Sequence, residues 1–223
     1  MTIVVRSLAE QAYERVLARI LVGEIAPGAP VRQDAISLQL GVSKIPLREA
    51  LTRLEQDGLV SSYPNRGFVV RPVSAEEAEE VFTLRLKIEP DAVAAACRVA
   101  SPEDRARLLL ALTTLEQGQD AEPSAGHVAL NRAFHLALIR PGAGLVTLQT
   151  LERLHVLADR YIHIHLESAT RTDRTKVENR ALLGAWFDGD GEQAAALTTT
   201  NICNTLESLR GQYGASPRSK PSP

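Results

Sequence analysis

Apolar residues recur at helical spacing along most of this chain and suit strands in only one short region. Leu8, Tyr13, Val16, Leu17, Ile20 and Leu21 predict a helix over 7–23, and Ala35, Ile36 and Leu40 a second over 32–40. Two prolines and a glycine in the stretch 24–30 make the link between them turn-rich. Gly41 supplies the freedom a sharp helix–helix turn needs. Ser43 then reads as the N-cap of a third helix, with Pro46 in its first turn and Leu47, Leu51 and Leu54 in one apolar stripe before Gly58 stops it. Residues 59–63 and 68–71 suit two short strands around Pro64-Asn65-Arg66-Gly67. Three helices and a hairpin predict a winged helix-turn-helix over residues 1–72.

From residue 73 every periodic segment is helical. Ser74-Ala75-Glu76-Glu77 has the form of a capping box, so a new helix starts there. The spacing predicts helices over 75–99, 102–117, 124–139, 143–169, 172–188 and 190–210. The breaks between them fall at Ser101-Pro102, Glu122-Pro123, Pro141-Gly142 and Gly189-Asp190-Gly191. Short links between six helices predict an antiparallel all-helical bundle over 73–211. The Ser/Pro/Lys-rich stretch 212–223 has no apolar face and is expected to be disordered. The fold class is mainly α.

Composition narrows this picture rather than changing it. A chain of 223 residues can bury a core in one large or two small domains. No run of about 18 apolar residues suggests a membrane span, and the first residues lack the pattern of a signal peptide. Cys97 and Cys203 are isolated, as reduced thiols in a cytoplasmic protein would be. The net charge of −2 hides a mild asymmetry: residues 1–72 hold 9 Lys/Arg against 7 Asp/Glu, the remainder 16 against 20. Positive charge in the first part must therefore act locally, through Arg32, Lys44, Arg48, Arg53, Arg66 and Arg71. No glycine-rich phosphate loop, G-x-S-x-G elbow or C-x-x-C pair is present.

Leu40-Gly41-Val42-Ser43, Pro46-Leu47-Arg48-Glu49-Ala50-Leu51 and Leu54-Glu55-Gln56-Asp57-Gly58-Leu59-Val60 resemble the helix-turn-helix of the GntR family of bacterial transcription regulators, and Pro64 to Val70 resembles its wing. Lys44 is a departure, since the family usually has arginine there. The resemblance implies double-stranded operator DNA as the partner, contacted from Ser43, Lys44, Pro46 and Arg48, with Asn65, Arg66 and Gly67 in the wing. Chemically, Arg48 suits a bidentate contact to guanine and Lys44 a guanine or phosphate. Ser43 and the helix's own amides suit phosphate. Arg32, near the start of the supporting helix, adds a candidate phosphate contact.

Residues 75–210 resemble the FCD ligand-binding domain of the FadR branch, through Val81 to Glu89, Asn131-Arg132-Ala133-Phe134-His135, and Asn179 to Asn201. Such domains commonly hold a divalent ion on an Asp, a His one turn later and two further histidines. Here Asn131 stands in place of the Asp, His135 is kept, and Asn179 and Asn201 replace the later histidines. Amide oxygens are weak ligands for a transition metal, so no cofactor is expected beyond, at most, a weakly held divalent ion near His135. The remaining cluster of Asn131, His135, Asn179 and Asn201 with Arg85 suits a small polar or carboxylate effector. Arg85 and Glu89 are also an i, i+4 pair that could bond each other. His163 and His165, two apart on a helix, cannot chelate one ion together, and His127 and His155 read as surface or packing residues.

The implied protein is a homodimeric, cytoplasmic transcription regulator, a repressor by family habit and not an enzyme, governed by a small-molecule effector in the bundle. Two alternatives stand beside it. One is a DNA-binding dimer whose bundle only dimerises. The other, weaker, is a metal-dependent enzyme on the helical half.

Overall fold

The computed structural model describes residues 6–118, 125–165 and 169–215. Its contacts divide the chain into two compact units, Met1–Val73 and Ser74–Pro223. Glu122-Pro123 and residues 216–223 lie outside the described residues.

The first unit contains α1 (Leu8–Leu21), α2 (Gln33–Leu40), α3 (Lys44–Gln56), β1 (Val60–Tyr63) and β2 (Gly67–Val70). Ser7 opens α1 with a complete capping box to Glu10. Gly41 closes α2 at φ +65°, a left-handed conformation that lets α3 leave at a sharp angle. Ser43 is the N-cap residue of α3 as expected, but its hydroxyl makes no cap hydrogen bond. The first-turn amides of α3 are thus not taken up by that side chain.

Leu47, Ala50, Leu51 and Leu54 of α3 are buried and pack against α1. Tyr13 donates its hydroxyl to Asp57 Oδ2 at 2.6 Å, tying α1 to the end of α3. Glu55 Oε1 accepts from both the amide and the hydroxyl of Ser62, fixing α3 to β1. β1 and β2 pair antiparallel with Val60 opposite Val70 and Tyr63 opposite Gly67. The link before α2 does more than turn. Val31 N donates to Phe68 O, and Ala29 O accepts from Val70 N, so residues 28–31 run along the outer edge of β2. Pro30 has no N–H to donate, and an edge is where that costs least.

Among its described residues the second unit consists of helices joined by short turns: α4 (Ala75–Val99), α5 (Pro102–Gly118), α6 (Ala125–Ile139), α7 (Leu145–His165), α8 (Ala169–Phe187) and α9 (Gly191–Ala215). Ser74 Oγ accepts from the Glu77 amide at the start of α4, while the Glu77 carboxylate takes the Tyr161 hydroxyl. Ser101 and Asp104 cap α5 reciprocally. α4 is the central element, packing against α6, α7, α8 and α9. The turn into α7 lies so close to α4 that a Cβ on Gly142 would stand 2.5 Å from the Ala96 nitrogen, which only glycine permits. α9 runs on through Ala215, so residues 212–215, expected in a disordered tail, are helical; Leu206 and Leu209 anchor the preceding turns in the core.

Candidate functional site

Two regions hold the predicted site residues, one on each unit. In the first, Lys44 is the first residue of α3 and Arg48 lies one turn on; both are exposed. Opposite faces of one helix explain this: the leucine stripe turns inward, so the residues between it turn outward. Among the described residues Arg48 has no ion-pair partner, whereas Lys44 Nζ lies 2.7 Å from Asp34 Oδ1 of α2. That pair sits in solvent, with the lysine side chain 72% exposed, so little free energy holds it.

Arg32 is the residue before α2 and is exposed, and Pro46 is half-buried in the first turn of α3. Asn65 and Arg66 are exposed at the hairpin tip, and Gly67 is half-buried at the start of β2. Asn65 (φ 63°) and Gly67 (φ 69°) take left-handed conformations that shape the turn. Two of the six cations expected to act locally make contacts within the unit, Arg53 from an exposed position and Arg71 from a half-buried one. Arg53 stacks over the Tyr13 ring at 4.3 Å, and Arg71 donates to Gly58 O.

The bundle buries a second, very different set. Glu89 of α4 is fully buried and takes a two-point bond from Arg85, 2.8 Å from Nε and 3.2 Å from Nη2. Burial alone would raise the Glu89 carboxyl, but the Arg85 guanidinium beside it outweighs burial and holds the group well below the usual carboxylate range. Of the two roles open to Arg85, the bond to its own helix neighbour at i, i+4 is the one formed.

His155 of α7, read as a surface or packing residue, is buried, with Nε2 3.2 Å from Glu89 Oε2 but without hydrogen-bond alignment, and its ring stacks on His135 at 5.8 Å. His135 Nδ1 lies 3.9 Å from Glu89 Oε1 on the other side. Burial keeps both imidazoles neutral: His135 is pushed down to about 3, and His155 is lowered as well. One turn beyond His155, buried Asp159 pairs with Arg132 of α6; burial outweighs that arginine and raises the Asp159 carboxyl to about 7. His127 and His163 are half-buried, and the side chain of His165 lies outside the described residues.

The asparagines divide. Asn201 is not free: its Nδ2 donates to Glu178 Oε2 at 2.8 Å, and Asn204 donates to the other oxygen. Asn179 is buried with neither amide atom hydrogen-bonded, and Asn131 Oδ1 and His135 Nδ1 are likewise buried without a hydrogen bond. Unmet buried polar atoms cost about 1–3 kcal/mol each.

These four positions do not fit a divalent ion. Only His135 offers a strong ligand, and Asn201 presents its NH2 to a carboxylate. Sequence reasoning missed Glu89 as the hub and missed His155, Asp159 and Arg132. The signal was there in part, since His155 and Asp159 are four apart and follow Leu151, three residues of one helix face.

Comparison with known proteins matches both units. The family model "Bacterial regulatory proteins, gntR family" matches residues 8–70, and the FCD domain model matches residues 80–202. The chain is 30% identical over 178 residues to the HTH-type transcriptional regulator McbR of Escherichia coli (strain K12), covering 79% of this chain and 80% of that one. It is 26% identical over 205 residues to the HTH-type transcriptional repressor RspR of the same organism, covering 90% and 88%. The solved structure of E. coli McbR/YncC superposes with a TM-score of 0.81 at 26% identity, over 94% of this chain and 100% of that one.

Proposed function

Because the chain belongs to the GntR family of bacterial transcription regulators, with a helix-turn-helix followed by an FCD domain, we propose that it is an effector-controlled repressor acting as a cytoplasmic homodimer on a palindromic operator. Each winged helix-turn-helix places α3 in the major groove of one half-site, with Arg48 reading a base edge and Arg66 reaching the backbone beside it. The observation that carries this reading is the exposed tip of α3, where Arg48 stands with no acidic partner among the described residues. A relative named as a repressor favours repression over activation.

Control comes from the bundle. Asn131 Oδ1, His135 Nδ1 and the Asn179 amide are the buried hydrogen-bonding atoms of the expected site left without a partner, so a small polar ligand carrying both donors and acceptors suits them. A carboxylate at Arg85 competes with Glu89, which already takes two of its five N–H donors and offsets its charge. No tightly held divalent ion belongs to this function. Effector binding alters the spacing of two heads whose half-sites are fixed about one helical turn apart, and a small shift is enough to release them.

A second reading, a dimer with no effector, is favoured by one observation: the Arg85–Glu89 and Asn201–Glu178 bonds already satisfy part of the cluster internally. Footprinting on DNA flanking the gene, with and without a panel of small polar metabolites and organic acids, separates the two. The expected result is protection of a palindrome, relieved by a compound that also raises the melting temperature. Protection that no compound relieves or stabilises would favour the second reading, and an absence of protection would sink both.

A further inference from the structure

The outward face of the recognition helix holds more than the cation assigned to it. Ile45, Arg48, Glu49 and Thr52 fall at i, i+3, i+4 and i+7 of α3, so they share one stripe, and all four are exposed. Leu47, Leu51 and Leu54 are buried on the opposite side. Ile45 is 73% exposed, in the first helical turn between Lys44 and Arg48.

An isolated exposed isoleucine is ordinary on a protein surface and needs no account by itself. Its setting here does. A β-branched residue is a poorer helix former than alanine or leucine, so helix propensity does not call for it. Core packing does not either, because the side chain is in solvent.

Its neighbours on the stripe also say what kind of DNA surface the face meets. Glu49 would be repelled by phosphates but can accept from a base-edge amino group. Thr52 already donates its hydroxyl to Arg48 O at 3.0 Å, which leaves that donor unavailable to phosphate. A face with one cation, one acid and one alkyl group suits base edges, not the backbone. The apolar feature that base edges offer in the major groove is the thymine C5-methyl group.

We propose that Ile45 is a specificity residue that covers the 5-methyl group of a thymine beside the base pair contacted by Arg48. This rests on the assignment of α3 to the major groove. It adds that the operator carries an obligatory thymine in each half-site, recognised by shape and dehydration and not by a hydrogen bond.

The test uses the full chain to select duplexes from a randomised pool, then repeats the selection with Ile45→Ala and Ile45→Val. Binding of each protein is also measured to the wild-type winner with single thymines replaced by uracil, which removes only the methyl group. The wild type should prefer thymine at one position per half-site and lose about fourfold in affinity on uracil substitution there, the value of roughly one buried methylene. Ile45→Ala should select no thymine at that position and bind both duplexes equally, while Ile45→Val keeps most of the preference.

The proposal is overturned if Ile45→Ala keeps the same thymine and the same uracil penalty, or if the wild type selects a sequence with no such thymine. If the wild type enriches no duplex at all, the assignment of α3 to DNA fails first and takes this inference with it.

Discussion

Two ion pairs of nearly equal length, one in each unit, behave as opposites. Lys44 meets Asp34 at 2.7 Å on the surface of the first unit, and Arg85 meets Glu89 at 2.8 Å in the core of the second. The exposed pair is screened by water and salt, and such pairs contribute about 0–1 kcal/mol. Lys44 can therefore leave Asp34 for a phosphate at little cost. The buried pair has no water to fall back on, so removing either member strands the other charge. Distance alone does not distinguish a contact that function can exchange from one that the fold requires; solvent does.

Predictions that probe this contrast run from the core outward. Glu89→Gln leaves the Arg85 charge buried without its counter-charge and should cost about 3–5 kcal/mol in denaturant unfolding. A midpoint within error of wild type would mean that water reaches Arg85 and that the contrast is false.

Asp159 sharpens the same point through pH. Its folded carboxyl titrates near 7 and its unfolded one near 3.8, so the folded state holds the proton more tightly. Its contribution is full below about pH 4, is lost as pH rises to about 7, and is level above that. His135 acts in the reverse sense: it is kept neutral when folded, so its stabilisation is lost as pH falls from about 6.5 towards 3. The check is consequently a difference. Wild type minus Asp159→Asn should decline between pH 4 and 7, and a flat difference would refute the shifted carboxyl.

At the exposed tip, Arg48→Ala should weaken specific DNA binding by about 1–3 kcal/mol with the helical signal and dimer unchanged. Operator affinity equal to wild type would remove Arg48 from the interface. The smallest effect belongs to Asp34→Ala. Stability should move by no more than about 0.5 kcal/mol, and DNA affinity should rise at low salt as Lys44 is released, with the gain fading as salt screens it. A large loss of stability would show that the surface pair is structural after all.

Legibility in the sequence followed the range of the interactions. Helix boundaries came out within a few residues because caps and breakers act locally: Ser7, Ser74, Ser101 and Gly41 each sit where their local chemistry requires. The pairing of residues 28–31 with β2 was not legible, since Pro27, Gly28 and Pro30 look the same in a free turn and along a sheet edge. Arg53 and Arg71 could be counted as positive charge, but the count does not say that Tyr13 and the Gly58 carbonyl hold them. In the bundle, Arg85 and Glu89 could be paired on paper because they share a helix. His155 could not be brought to Glu89, because nothing local relates two residues on helices so far apart in the chain.

By itself, then, the sequence determined the two architectures, the outward cationic tip of α3 and the replacement of metal ligands by asparagines, all of which follow from side-chain chemistry and short-range periodicity. Only the tertiary structure decided which charges remain available. Burial sets the cost of an unpaired charge, and burial depends on which helices pack together, so it was packing that assigned Arg85 to Glu89, raised the carboxyl of Asp159, and left Arg48 facing water.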